Sequence, residues 1–71
     1  MRITIIGLDN DYLDCVKEMG GRIHAHDGVI DVNFPQSVSM WVDNVNSVIN
    51  FTSPTVGMVI GFEDFFTIEI M

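Results

Sequence analysis

His24 and His26 stand two residues apart, and Asp27 and Asp31 follow them. On a β-strand, a spacing of two puts both imidazoles on one face. A turn at Asp27-Gly28 would fold Asp31 back opposite His24. Two imidazoles and a carboxylate in reach of one another suit a divalent transition metal. Nothing else in the chain completes that set, because there is no third histidine and the one cysteine is Cys15. The expectation is a solvated sheet face with a cross-strand His24–Asp31 pair, and neither a metal nor another cofactor.

The other reactive residue types point to no catalytic group. Asp9, Asp11, Asp14 and Glu18 could pair as glycosidase carboxylates do. A chain of 71 residues offers little cavity in which to desolvate one of them. Ser37, Ser39, Ser47 and Ser53 lack the glycine-flanked turn of a nucleophile elbow. Cys15 falls on the apolar side of its helix, where a thiol behaves as a small hydrophobe. The opening "MRITIIGLDN" has the look of a strand and glycine turn of a nucleotide-binding fold. Yet Gly7 stands alone where the dinucleotide fingerprint needs three glycines, and Asp9 and Asp11 fall where a pyrophosphate would lie. An enzyme is not expected.

Charge narrows the function further. Ten carboxylates face three basic residues, for a net charge of −7. The cations are Arg2, Lys17 and Arg22, and no Lys or Arg follows Arg22. Direct nucleic-acid binding needs cations to neutralise phosphates and release counterions. The same shortage disfavours ATP, NAD and anionic membrane surfaces. No segment reads as a signal peptide, and no apolar run is long enough to cross a membrane. A cytoplasmic protein is the expectation, in the host cytoplasm if the chain is viral.

The elements that must position these residues fit one domain over residues 1–71. At this size a fold buries only about 60% of its unfolded surface, so a partner or a second copy would help it. Residues 2–7 read as a strand. Asp9, Asn10 or Asp11 caps a helix whose stripe is Leu8, Tyr12, Cys15 or Val16, and Met19, and Gly20-Gly21 stops it. "RIHAHDGVIDVNF" reads as a hairpin. Its Asp27-Gly28 turn pairs His26 with Val29, Ala25 with Ile30, His24 with Asp31, Ile23 with Val32 and Arg22 with Asn33.

Val38, Trp41, Val42, Val45, Val48 and Ile49 recur at three and four, which predicts a second helix capped near Ser37, with Trp41 in the core. A competing reading makes 37–51 two strands turning at Asp43-Asn44. Val, Ile and Asn are poor helix formers, and Val38, Met40 and Val42 also alternate. In that reading Trp41 becomes a binding residue. After Ser53-Pro54 come two more strands around Glu63-Asp64. The order is β-α-β-β-α-β-β. It predicts an α+β fold, a small two-layer sandwich of an antiparallel sheet with two helices. The order is ferredoxin-like βαββαβ with an extra C-terminal strand.

The last hairpin has two readings. A tight turn at Glu63-Asp64 leaves Met58, Ile60, Phe62 and Phe65 on the solvated face, as a patch for self-association. A looser loop moves Met58 and Ile60 into the core and keeps Phe62 and Phe65 near the loop.

Two functions follow. In the first, Asp9, Asp11, Asp14 and Glu18 on the first helix bind a partner together with Asp27, Glu63 and Asp64 on loops and Asp43 on the second helix. They would take the place of nucleic-acid phosphates on a basic surface. A small, acidic, motif-poor chain of this kind resembles virus-encoded inhibitors of host nucleic-acid machinery, anti-CRISPR proteins among them. That resemblance implies a viral protein that mimics nucleic acid, and a basic partner protein that itself binds nucleic acid. In the second, a homo-oligomeric ferredoxin-like regulatory or ligand-binding module forms a homodimer through Met58, Ile60, Phe62 and Phe65.

Overall fold

The computed structural model describes residues 1–71 and contains seven strands and one short α-helix. β1 (Arg2–Ile6) enters a 3₁₀ turn (Asn10–Tyr12) and then α1 (Leu13–Glu18). β2 (Arg22–His26) and β3 (Val29–Asn33) form the expected hairpin, with all five predicted pairs in register. Its turn needs positive φ at both central residues, and Asp27 and Gly28 supply φ of 50° and 78°. β1 lies against β3, so the first sheet is not a simple meander. Ile3, Ile5, Ile30 and Val32 face inward and are buried.

The second helix is not formed. Residues 37–51 instead contain β4 (Ser39–Asp43) and the start of β5 (Val48–Thr52), paired antiparallel. Of the six residues that fit a helical stripe, only Val38 and Ile49 are buried. Val45 is 92% exposed at the hairpin tip, and Trp41 is 49% exposed on the outer face rather than in the core. The turn is built by Asp43. Its Oδ1 accepts from the N–H groups of Val45 (3.0 Å) and Asn46 (3.1 Å), and Oδ2 accepts from Asn46 Nδ2 at 2.8 Å. This local bonding offers the chain an alternative to helix, while the β-branched residues on either side favour strands.

The expected C-terminal hairpin is also replaced. β6 (Gly57–Gly61) pairs with β5, and β7 (Thr67–Ile70) pairs with β1. A 3₁₀ turn at Phe62–Asp64 gives the chain room to leave one sheet and join the other. Met58 and Ile60 lie opposite Phe51 and Ile49 and are buried, so the looser-loop reading was the right one for them. The strand orders are β2-β3-β1-β7 and β4-β5-β6. The fold is mostly β, with two sheets, and is not a two-helix ferredoxin-like sandwich.

Both sheets share one core of thirteen buried residues. Phe34 and Phe51 meet across it with ring centroids 5.6 Å apart. Truncating Phe51 to Ala would cost about 3–5 kcal/mol, as for other buried aromatics. The flank beside β2 and β6 is closed by the segment that ends in α1. Leu8, Val16 and Met19 are buried there, and the Cys15 thiol reaches the Gly57 carbonyl at 3.7 Å. No helix covers the opposite flank, where β4 and β7 approach each other.

Candidate functional site

Three main-chain hydrogen bonds tie four loops together at one end of the molecule. Gly7 N–H donates to Gly28 O (3.2 Å), Asp9 N–H to Asp64 O (2.9 Å), and Phe62 N–H to Ser47 O (3.0 Å). Those loops carry Asp9, Asp11, Asp27, Asp43, Glu63 and Asp64, and Asp14 stands in the first turn of α1. Seven of the ten carboxylates therefore gather at this end, and the loops hold no Lys or Arg. Glu18 is not among them. It ends α1 beside Lys17, toward the opposite end, where Gly20 meets Pro35.

The acidic loops are held by neutral donors. Asp9 caps the 3₁₀ turn by accepting from Asp11 N–H at 3.0 Å. Tyr12 donates its hydroxyl to Asp64 Oδ2 at 2.5 Å, which joins the start of the helix to the Phe62–Asp64 turn. That bond is the first cause of a raised Tyr12 pKa; partial burial and the charges of Asp64 and Asp9 act in the same direction. Asp43 is held below the usual carboxylate range, first by the Asn46 side chain and then by the Asn46 backbone.

The outer face of the first sheet has the opposite character. Arg2, Asn33 and Arg22 form one cross-strand row. His24, Asp31, Thr4 and Glu69 form the next. The Asp31 carboxylate accepts from Thr4 Oγ1 at 2.7 Å, and it meets His26 Nε2 at 3.4 Å. The expected His24–Asp31 pair is thus replaced by a diagonal one. The backbone register is as expected, but the His26 ring leans across to the carboxylate. Asp31 is held below its ordinary pKa, first by Thr4, with His26 and Arg2 adding to the effect. No three His, Cys, Asp or Glu side chains come together as a metal-binding group.

Between β4 and β7 lies an apolar groove of about 350 Å³, lined by Val42, Ile49, Phe62, Phe65, Phe66 and Ile68. Phe62 and Phe65 stack edge to face with centroids 6.2 Å apart. Phe66 is 83% exposed, and its main chain is anchored. Its N–H donates to Ile6 O at 2.8 Å, and its ring lies over Gly7, where any Cβ would overlap it. Gly7 also has φ of +75°. The glycine of the opening stretch therefore seats an aromatic ring. Phe62 and Phe65 were legible as a loop-side apolar pair, whereas Phe66, Val42 and Ile68 were not. The signal for Phe66 was the adjacent pair Phe65-Phe66, since neighbours on extended chain face opposite ways.

A second exposed apolar row, Trp41 and Val59 on either side of Asn50, lies on the outer face of the second sheet. Comparison with protein-family models, curated proteins and solved structures finds no match to the chain. No helix is long and apolar enough to cross a membrane.

Proposed function

We propose that this chain is a small acidic binding protein that blocks a basic surface on a partner protein, in the place where nucleic-acid phosphates would lie. One observation carries the reading: seven carboxylates converge on one end with no Lys or Arg in the loops that hold them. Hydrogen bonds fix Asp9, Asp43 and Asp64 before any partner arrives, so little ordering is left for the encounter. A fixed field of one sign steers a cationic partner and rejects anionic ones. A partner built to hold phosphates presents the complementary surface, and a virus-encoded inhibitor of nucleic-acid machinery, anti-CRISPR proteins included, is the setting in which such a blocker would act. Of the four residues of the self-association reading, Met58 and Ile60 are core residues, which leaves Phe62 and Phe65 at the surface.

The test is capture of partners from a lysate at low and high salt, followed by competition with DNA and RNA. Partners of the blocker are basic, leave as salt rises, and are displaced by nucleic acid. Retention of neutral or acidic partners at high salt would sink the proposal.

A further inference from the structure

The two flanks of the sandwich are treated differently. One is closed by an apolar stripe, with Leu8, Val16 and Met19 buried under the α1 segment. The other is left open as the groove between β4 and β7, with Ile49 buried at its floor and Phe66 standing at its rim. Charges of one sign border it along the chain. Phe62, Phe65 and Phe66 belong to the loop that carries Glu63 and Asp64, and Val42 leads into the turn built by Asp43, whereas Glu69 lies on the outer face of the first sheet. β4 and β7 are edge strands, so each also presents unpaired main-chain groups to an extended segment.

We propose that the open flank takes one large apolar side chain from a Lys- or Arg-rich segment of the partner. This rests on the blocker reading and adds the chemistry of the segment that is held. The apolar side chain enters between Phe62, Phe65 and Phe66, and the flanking basic residues face Asp43, Glu63 and Asp64. Phe66 is the anchor: its main chain is tied to Ile6 O, and its exposed ring rests over Gly7 at the rim of the groove. Charge complementarity selects the class of partner. A neutral apolar segment would leave the acidic rim unanswered, and a purely basic one would leave the groove wet.

The experiment titrates the isotope-labelled full chain at low salt with three short synthetic peptides, following amide shifts. One is Lys/Arg-rich with a central Phe, one is identical with a central Ser, and one is Gly/Ser-rich with a central Phe. The basic Phe peptide should bind about tenfold tighter than either of the others, with shifts at Val42, Phe62, Phe66 and Ile68. Phe66→Ser should erase the difference between the two basic peptides, while binding of the basic Ser peptide stays. The exposed Val42 offers a second variant, Val42→Ser, with the same expected direction. Equal binding of both basic peptides overturns the groove proposal and leaves the blocker reading standing. Absence of binding by either basic peptide overturns both. A Gly/Ser peptide as tight as the basic one, or a Phe advantage that survives both variants, places the apolar contact elsewhere or with an uncharged partner and also overturns the proposal.

Discussion

The acidic end and the outer face of the first sheet carry charge in different ways. On the sheet face, Asp31 is answered by a hydroxyl, an imidazole and the field of Arg2. Cationic side chains thus stand close to this carboxylate. At the acidic end, Asp9, Asp43 and Asp64 are answered by backbone N–H groups, an amide and a phenol, none of which carries a positive charge. Those donors fix the carboxylates without neutralising them, so the field points outward. The arrangement costs stability through repulsion and leaves a surface ready for a cation. A neutral donor is the first partner in both regions, and what sets the sheet face apart is that His26 and Arg2 stand near Asp31 as well.

The strongest way to break this comparison is to remove charge from each region in turn. Asp9→Asn, Asp11→Asn, Glu63→Gln and Asp64→Asn combined should weaken binding to a basic partner by about 100-fold at low salt. Arg2→Gln with Arg22→Gln should leave that affinity unchanged or slightly higher. Calorimetric titration at two salt concentrations separates the outcomes. Equal losses from the two sets would mean that the acidic end is not a distinct surface.

A smaller effect comes from the glycine on which the acidic end is built. Gly7→Ala must place a Cβ at φ +75° and into the Phe66 ring, and should destabilise the fold by about 2–3 kcal/mol. Gly28→Ala has a similar φ of +78° and nothing near the new methyl, so about 1 kcal/mol is expected. Urea denaturation of both variants checks the difference. If the two cost the same, the Phe66 ring is not held by Gly7.

The gathering of carboxylates was only partly legible in the sequence. The 22–33 hairpin could be read in full, because turn chemistry and alternation select the same register. The 37–51 segment misled, because six apolar residues happened to fall at helical spacing while Asp43 and Asn46 were building a turn. That error hid a simple regularity. In a mostly antiparallel fold, successive connections alternate between the two ends. The connections at 34–38 and 53–56 carry no charged residue, whereas those at 27–28 and 62–66 carry carboxylates, and Asp43 ends β4 at the 44–47 turn. With seven strands in hand, the acidic end follows from counting. With a helix at 37–51, it does not. The acidic residues themselves were readable, and Glu18 was misplaced because a short helix carries its two ends to different parts of the molecule.

Tyr12 sharpens the comparison at the level of one bond. Its hydroxyl holds Asp64 without cancelling its charge, and the bond exists only while the phenol is protonated. The folded pKa is raised, so the contribution is complete below the unfolded value and is lost as pH rises through the folded one. Tyr12→Phe should cost about 1 kcal/mol at neutral pH, discounted for partial exposure, and the cost should vanish in strong alkali. Stability curves for both proteins across the alkaline range test this. A constant gap between them would show that packing of the ring, rather than the bond to Asp64, sets the difference.

The smallest effect belongs to the sheet face, and it asks whether Asp31 is held by a charge or by a neutral donor. Thr4 is the first cause of its lowered pKa, ahead of His26. Thr4→Val keeps the β-branched shape and removes the hydroxyl, so the Asp31 pKa should move up toward its ordinary value. His26→Gln should move it up by less. Because the folded pKa is depressed, the stability that Asp31 contributes is present above its unfolded value and is lost as pH falls through the folded one. Thr4→Val should therefore shrink the part of acid destabilisation that falls below the ordinary aspartate range. Carboxylate shifts followed by NMR in both variants read the two contributions directly. If His26→Gln has the larger effect, Asp31 is held mainly by a charge, and the contrast with the acidic end becomes sharper. If Thr4→Val has the larger effect, both regions fix their carboxylates with neutral donors, and what separates them is the nearness of Arg2 and His26 alone.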